Sequence, residues 1–285
     1  MQKNDGGIRG RIPEIIMTIS PKKSLGQHFL ADRNVAAKIV HAIEAERHDR
    51  VLEIGPGTGA LTGLLVEKFD DVHVFEVDRR AVAVIEEAFP GVNIHPVSFL
   101  DVDLAAFARE RGSRPFIVGN LPYFLTSPIL FHVMDQGDQV SQAVFMIQRE
   151  VAQRLVARPR TKEYGILSVQ AQVLGRVELL FAVSRHVFRP PPNVESAVIS
   201  WRPGNDRYPG SIADLPVPLN VFKNVVRTAF QQRRKRLSNA LKSLFGSDFP
   251  DGFDAGRRAE ELRPEEFVEL AVHLYDSCRA DGKRI

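Results

Sequence analysis

The stretch Glu53-Ile-Gly-Pro-Gly-Thr-Gly-Ala60 follows directly on the apolar pair Val51-Leu52, and it decides the fold. Three alternating glycines after a buried strand let the backbone turn tightly and let a ligand approach it closely. Apolar residues then recur at helical spacing from Ala60 to Phe69, which predicts a strand, a turn and a helix. The string also fits the dinucleotide-binding fingerprint G-x-G-x-x-G/A, with Ala60 at the third conserved position. Alone, it does not distinguish a site for NAD from one for S-adenosylmethionine.

Outward from this turn, short β-rich runs and helical patterns alternate from about residue 49 to residue 149. Such repetition implies the α/β class with a parallel, doubly wound sheet. Ligands of these sheets bind beyond the carboxyl ends of the strands, so the residues after each strand are candidates for chemistry. The predicted strands are 51–54, 72–77, 92–97, 116–118 and 143–147, and the predicted helices are 60–69, 79–89 and 128–134.

The pattern changes after residue 148. The sequence there predicts a helix over 150–156 and strands over 177–183 and 194–201. A linker rich in Pro, Gly and Asp follows over 202–218. Helices over 219–230, 233–245 and 264–275 complete the prediction. We therefore expect a flexible extension over 1–20, a Rossmann-like domain over 21–205 and a small helical domain over 206–285.

Two carboxylates stand where a cofactor would meet strand ends. Glu76 ends the second predicted strand, 21 residues after Gly55, and a carboxylate there can accept hydrogen bonds from both ribose hydroxyls. Asp101 lies just past the third strand. It is placed either to accept a hydrogen bond from an exocyclic adenine amine or to cap a helix.

The string Gly119-Asn-Leu-Pro-Tyr123 follows the fourth strand and indicates the reaction. An adenine N6 amine is a poor nucleophile, and two hydrogen-bond acceptors on its protons favour attack. The Asn120 side-chain oxygen and a backbone carbonyl of Leu121 or Pro122 could supply them, while Tyr123 offers a face for a base taken out of its stack. Hydride transfer has no use for this string, so it favours S-adenosylmethionine.

The composition is that of a globular protein: 285 residues, 44% hydrophobic and 26% charged. The single cysteine, Cys278, excludes an internal disulfide, and no Cys/His cluster predicts a metal. No apolar run reaches membrane-span length. The single cysteine favours a reducing compartment, and we expect a cytoplasmic protein that is a monomer. Residues 217–242 contain seven basic and no acidic side chains, which favours a phosphate-contacting surface. The candidates for RNA binding are Lys223, Arg227, Arg233, Arg234, Lys235 and Arg236.

Several motifs in order make the chain resemble the bacterial small-subunit rRNA adenine N6,N6-dimethyltransferases, from about Pro21 to the last helix. Besides Glu76 and Asp101, they are Leu25-Gly-Gln-His-Phe-Leu30, Glu53-Ile-Gly-Pro-Gly57, Asn120-Leu-Pro-Tyr123, Val187-Phe-Arg-Pro-Pro-Pro-Asn-Val-Glu-Ser196 and Arg233-Arg-Lys-Arg-Leu-Ser-Asn239. Two positions depart from the family pattern: His28 stands where Asn is frequent, and Phe124 where a polar Asn is common.

The resemblance implies a Rossmann-like methyltransferase domain that uses S-adenosylmethionine, with a small helical C-terminal domain. The implied cofactor residues are His28, Leu30, Gly55, Gly57, Glu76, Asp101 and Asn120, and Phe188 is implied as a second aromatic wall for the base. From the residues alone, Phe188 could equally be a core residue. The implied activity is dimethylation of two adjacent adenosines near the 3′ end of small-subunit rRNA, on a pre-ribosomal 30S particle whose assembly the enzyme also serves.

Three alternatives share part of this pattern. A large-subunit rRNA adenine methyltransferase of the macrolide-resistance type would share the cofactor residues. A ribosome-assembly or transcription factor that has lost the activity would keep the fold, although intact Glu76, Asp101, Asn120 and Tyr123 argue against it. A DNA adenine methyltransferase is equally compatible with the basic residues.

Overall fold

A computed structural model describes residues 19–20, 27–246 and 248–280. The predicted flexible extension over residues 1–20 lies, apart from its last two residues, outside the described residues. Nine strands are found in the described part of the chain. They are Phe29–Leu30 (β1), Arg50–Ile54 (β2), Asp71–Phe75 (β3), Asn93–His95 (β4), Phe116–Asn120 (β5), Gln142–Gln148 (β6), Gly175–Val183 (β7), Phe188–Arg189 (β8) and Ser196–Pro203 (β9).

Seven of these strands form one sheet in the order β4-β3-β2-β5-β6-β9-β7. The strands from β4 to β6 are parallel, and β9 runs antiparallel to both β6 and β7. The chain winds to one side from β2 to β3 and returns to the other side at β5. The gap between the ends of β2 and β5 is therefore the switch point at which such sheets bind ligands. The predicted Rossmann-like α/β class is confirmed, with two antiparallel strands added.

Helices cover both faces of the sheet, and several begin at a side-chain cap. The carboxylates of Asp32, Asp78 and Asp103 accept hydrogen bonds from backbone N–H groups at the first turns of three helices, which satisfies donors that have no partner inside a helix. The helices are Arg33–His41 (α1), Thr62–Lys68 (α2), Arg79–Ala88 (α3), Leu104–Arg111 (α4), Thr126–Asp135 (α5), Arg149–Leu155 (α6), Ile166–Leu174 (α7), Leu219–Gln231 (α8), Leu237–Ala240 (α9), Lys242–Phe245 (α10) and Pro264–Ala280 (α11).

Alternation along the strands divides the core into two apolar layers. Val51 and Val118 belong to one layer, and Leu52 and Ile117 belong to the other. The second layer continues without a break into α8 and α11. The helices after residue 205 therefore share one core with the sheet.

The predicted linker over 202–218 is packed against the sheet. Tyr208, Leu215 and Val217 are buried, and the Ser211 hydroxyl donates a hydrogen bond to the Leu174 carbonyl. Pro, Gly and Asp mark its turns correctly, but they do not reveal which side chains it buries.

The single helix predicted over 233–245 is wrong. The chain leaves the helical path after α8, and α9 and α10 are separate short helices. The backbone N–H groups of Leu237 and Ser238 donate to the carbonyls of Arg257 and Ala255, at 2.8 and 3.0 Å. Donors that a continuous helix would use internally thus bond to a distant segment. Helices α1, α4 and α7 were not predicted.

Candidate active site

The glycine turn after β2 forms one wall of a cavity at the carboxyl end of the sheet. Gly55 and Gly57 have φ of +65° and +55°, a region that favours glycine. A Cβ on Gly57 would lie 2.9 Å from the Phe29 ring, whereas a Cβ on Gly55 would meet no atom within 4 Å. Gly57 is therefore needed for packing, and Gly55 leaves open space where a ligand can approach the backbone.

Glu76 follows β3 directly and lines the same cavity. Its Oε1 accepts the backbone N–H groups of Val77 and Asp78, both at 2.8 Å. Burial raises the pKa of Glu76, and hydrogen bonds from the N–H groups of Asp78, Val77 and Gly57 oppose that rise. A carboxylate offers about four acceptor positions, so this one is fixed in place by the backbone and can still accept from ribose hydroxyls.

Asn120 is the last residue of β5, beside the glycine turn. Its Nδ2 donates a hydrogen bond to the His28 carbonyl at 3.0 Å. A carbonyl can only accept, so the atom facing it must be the amide nitrogen, and the orientation of the amide is determined. Among the described residues no donor reaches Oδ1, which remains available as an acceptor.

The backbone carbonyls of Leu121 and Pro122, the two candidates for the second acceptor, differ in their hydrogen bonds. The Pro122 carbonyl accepts from Leu125 N–H at 2.9 Å and from the Thr126 hydroxyl at 3.2 Å, which closes the turn into α5. No donor to the Leu121 carbonyl is found in the described part of the chain. Leu121 N–H donates to the Met146 carbonyl at 3.1 Å and holds this segment against β6. The structure therefore favours Leu121 over Pro122 as the backbone acceptor.

Tyr123 is half-buried and fixed at both ends of its side chain. Its hydroxyl lies 2.9 Å from the Ser196 Oγ, and its ring is stacked with the His28 ring at a centroid distance of 5.6 Å. Burial raises the pKa of the Tyr123 phenol, so the phenol stays neutral at physiological pH. The His28 ring is held in turn by a 2.8 Å hydrogen bond between Nδ1 and the Pro190 carbonyl.

Three predicted site residues lie away from the cavity lining. Leu30 and Phe188 are buried partners in the β1–β8 pair and belong to the core, and Phe188 is completely buried. Asp101 is exposed and follows the lining residue Leu100. Ser98 and Asp103 cap the helical turns on either side of Asp101, so the structure gives Asp101 no capping role.

The predicted RNA-binding cations fall into two groups. Lys223 pairs with Asp135, and Arg233 donates to Glu260 at 2.7 Å and to two backbone carbonyls. These two side chains tie α8 and its following turn to the rest of the protein. The others are exposed and have no carboxylate partner among the described residues: Arg227, Arg234, Lys235 and Arg236.

Glu53 is a buried carboxyl group directly before the glycine turn, and the sequence pattern did not reveal its burial. It is 1% exposed and accepts a 2.7 Å hydrogen bond from the Thr62 hydroxyl. Burial raises the pKa of Glu53 to about 8; the Thr62 hydroxyl opposes this rise and the nearby Glu76 charge adds to it. Glu53 is thus largely protonated at neutral pH and adds little negative charge beside Glu76.

The cavity fits an adenosyl cofactor. It combines an open glycine backbone, an anchored carboxylate at Glu76 and the apolar side chains Val77, Val97 and Phe99.

Within the described residues, no group of three or more His, Cys, Asp or Glu side chains could hold a metal ion. No helix there is both long and apolar enough to cross a membrane.

This fold and site define the class of S-adenosylmethionine-dependent methyltransferases. The sequence profile of the ribosomal RNA adenine dimethylases matches residues 19–275. Two curated relatives are each called ribosomal RNA small subunit methyltransferase A. The one from Salinibacter ruber is 44% identical over 89% of this chain and 85% of its own. The one from Bacteroides thetaiotaomicron is 43% identical over 92% of this chain and 96% of its own. The chain belongs to the ribosomal RNA adenine dimethylase family.

Solved structures confirm the fold. A dimethyladenosine transferase from Plasmodium falciparum has a TM-score of 0.70 at 22% identity, over 90% of this chain and 99% of that chain. The 23S rRNA methyltransferase ErmE has a TM-score of 0.63 at 24% identity, over 87% of this chain and 99% of that chain. Both likenesses extend from the sheet into the C-terminal helices.

Proposed function

We propose that this protein transfers methyl groups from S-adenosylmethionine to the N6 amines of two adjacent adenosines near the 3′ end of small-subunit rRNA. The observation that carries the proposal is the Asn120 amide, whose nitrogen is bound to His28 and whose oxygen has no partner in the described chain. This acceptor stands at the end of β5, in the same cavity as Gly55 and Glu76. The names of the curated relatives support the small subunit as the substrate.

The cofactor half of the site uses the ends of β2 and β3. Glu76 accepts hydrogen bonds from the ribose hydroxyls, and Gly55 lets the cofactor lie close to the backbone. Asp101 turns in from the rim beside Leu100 to accept the exocyclic amine of the cofactor adenine. His28 closes the cavity through its contacts with Tyr123 and Pro190. Leu30 acts indirectly, because it belongs to β1, the strand that begins directly after His28.

The acceptor half of the site orients the target amine. Asn120 Oδ1 and the Leu121 carbonyl each accept a hydrogen bond from one N6–H group, which draws the nitrogen toward tetrahedral geometry and makes its lone pair available for attack on the methyl carbon. Bound S-adenosylmethionine supplies a methyl carbon on a sulfonium, so the residues need to position the amine rather than to act as a strong base. Preorganised acceptors of this kind favour the transition state because they do not reorganise during the reaction.

The target base reaches the site only after leaving its stack. Tyr123 supplies the first aromatic face, with its ring held by Ser196 and His28. Phe188 is completely buried, so contact with a base would require the β1–β8 pair to open. In the arrangement described here Phe188 pairs with Leu30 of β1, the strand directly after His28, whose ring is stacked with Tyr123.

The helices after residue 205 supply a surface for structured RNA. Arg227, Arg234, Lys235 and Arg236 carry this role, because no carboxylate of the described chain neutralises them. Lys223 and Arg233 position the helices through Asp135 and Glu260. In this account a cytoplasmic monomer acts on a pre-ribosomal 30S particle, and its binding also serves assembly of the subunit.

The test is methyl transfer from labelled S-adenosylmethionine to unmethylated small subunits, large subunits and duplex DNA, followed by identification of the product nucleoside. We expect dimethyladenosine on the small-subunit RNA and none on the other two. Labelling of the large subunit would support the macrolide-resistance type instead. Cofactor binding without incorporation into any of the three would support a non-catalytic assembly factor.

A further inference from the structure

A second cleft lies on the opposite side of helix α5 from the reaction cavity. Leu125 and Ile129 line the reaction cavity, whereas Ser127 and Phe131 line the second cleft. The alternation follows from helical geometry, because residues two apart point to nearly opposite faces. The two sites are therefore separated by the width of one helix, about 10–12 Å.

The walls of this cleft are basic. They are formed by α5, the end of α6, the segment between α6 and α7, α7, α8 and the turn after α8, and they carry five cations and one carboxylate, Glu163. The cations are Arg154, Lys162, Lys223, Arg227 and Arg233. Asp135 and Glu260 neutralise Lys223 and Arg233. Lys162 and Arg227 have no carboxylate partner in the described chain, and Arg154 has only an exposed contact with Glu150 at 3.7 Å.

The floor of the cleft combines aromatic rings with an unsatisfied amide. Phe131 and Phe230 are half-buried, and Phe230 is stacked with Phe267 at 5.6 Å. Gln170 is 2% exposed, and its Oε1 has no hydrogen-bond partner among the described residues. This oxygen is shielded from solvent, so the aromatic rings and the unpaired cations are the groups that the cleft offers to a ligand.

The size of the cleft fits a polymer segment better than a small molecule. The cleft has a volume of about 1310 Å³, above the ~300–1,000 Å³ of ordinary small-molecule pockets. Cations that contact phosphates, together with aromatic rings on which bases stack, are how proteins bind single-stranded RNA.

We propose that this cleft binds an unpaired nucleotide of the substrate RNA that flanks the adenosine held in the reaction cavity. Lys162 and Arg227 contact its phosphates, and Phe131 and Phe230 contact the base. The strand would cross the start of α5, so that one helix positions the target and its neighbour together. The assignment of RNA as the ligand rests on the function proposed above.

The first test places a photoreactive amino acid at Asn220, an exposed residue of the cleft wall. The protein is irradiated on unmethylated small subunits, and the cross-linked nucleotides are mapped. We expect an unpaired nucleotide within a few positions of the methylated adenosines. Cross-links confined to duplex RNA, or none although the same protein methylates the subunit, would overturn the cleft assignment and leave the proposed function standing. Loss of methylation by the unsubstituted protein would instead refute the proposed function.

The second test compares two double variants. The double variant Lys162→Ala, Arg227→Ala should have a higher KM for the subunit. Its binding should also depend less on salt: the slope of log K against log salt concentration should be smaller by about 1.4, roughly 0.7 for each lost phosphate contact. Lys38→Ala with Arg114→Ala removes exposed cations outside the cleft and should change neither quantity. Unchanged cofactor affinity would show that both variants are folded. A salt slope equal to that of wild type in the cleft variant would contradict the proposal.

Discussion

The side-chain nitrogen of Asn120 donates a hydrogen bond to the backbone carbonyl of His28 at 3.0 Å, across 92 residues of sequence. This contact fixes which end of the amide faces the cavity. It also joins the acceptor string after β5 to the β1 segment, which pairs with β8. The orientation of the reacting group thus depends on a segment outside the central sheet.

Glu76→Ala should weaken S-adenosylmethionine binding by about 10- to 100-fold, because it removes hydrogen bonds to a charged acceptor worth ~1.5–3 kcal/mol. Calorimetry would measure the dissociation constant. Glu76→Gln keeps one acceptor and should lose less affinity. An alanine variant that binds the cofactor as tightly as wild type would remove the ribose role.

Tyr123→Ala should reduce kcat/KM for the subunit at least about tenfold, since stacking of a base on an aromatic ring is worth ~1–3 kcal/mol. Tyr123→Phe keeps the ring and loses only the Ser196 contact, so it should retain activity within about fivefold. Steady-state kinetics on unmethylated subunits separate the two variants. Equal losses would assign the role of Tyr123 to its hydroxyl.

Phe188→Ala should lower the free energy of unfolding by about 3–5 kcal/mol, because it leaves a cavity in the core. Phe124→Ala is the matched control: this ring is 57% exposed, and its removal should change stability by no more than ~0.5 kcal/mol. Denaturant titration measures both. A small loss for Phe188→Ala would show that its ring is not a core residue in solution.

Glu53→Gln should become more stable relative to wild type as the pH rises. The folded-state pKa of Glu53 is raised to about 8, so the folded protein binds a proton that the unfolded chain releases near pH 4.5. The stability contributed by this proton is complete below about pH 4.5 and is lost as the pH rises through 8. Glutamine cannot titrate, and we expect its relative gain between pH 5 and pH 8.5 to be on the order of 2–4 kcal/mol. Thermal melts at both pH values are the measurement; a constant difference would mean that Glu53 is not protonated.

The sequence was informative wherever a local pattern determines the structure. Gly55, Glu76 and Asn120 follow buried strands, and the common edge of a parallel sheet brings them together as expected. The strands of the seven-stranded sheet were also predictable as short β-rich runs, whereas the short strands β1 and β8 were not predicted.

Contacts between distant segments account for what the sequence did not reveal. The helix predicted over 233–245 is interrupted because Leu237 and Ser238 bond to the backbone of residues 255–257. Likewise, the seven cations of residues 217–242 have no acidic neighbours in sequence, but Asp135 and Glu260 reach two of them in space. The buried state of Phe188 depends on the pairing of β8 with β1, which no local pattern indicates.

The most direct test of the central claim compares wild type with Asn120→Ala on unmethylated small subunits. Both proteins are supplied with saturating labelled S-adenosylmethionine, and cofactor binding is measured in parallel. The account predicts dimethyladenosine from wild type and a loss of about 10²-fold or more in kcat from the variant, with cofactor affinity largely retained. Near-wild-type turnover by Asn120→Ala would contradict the acceptor mechanism.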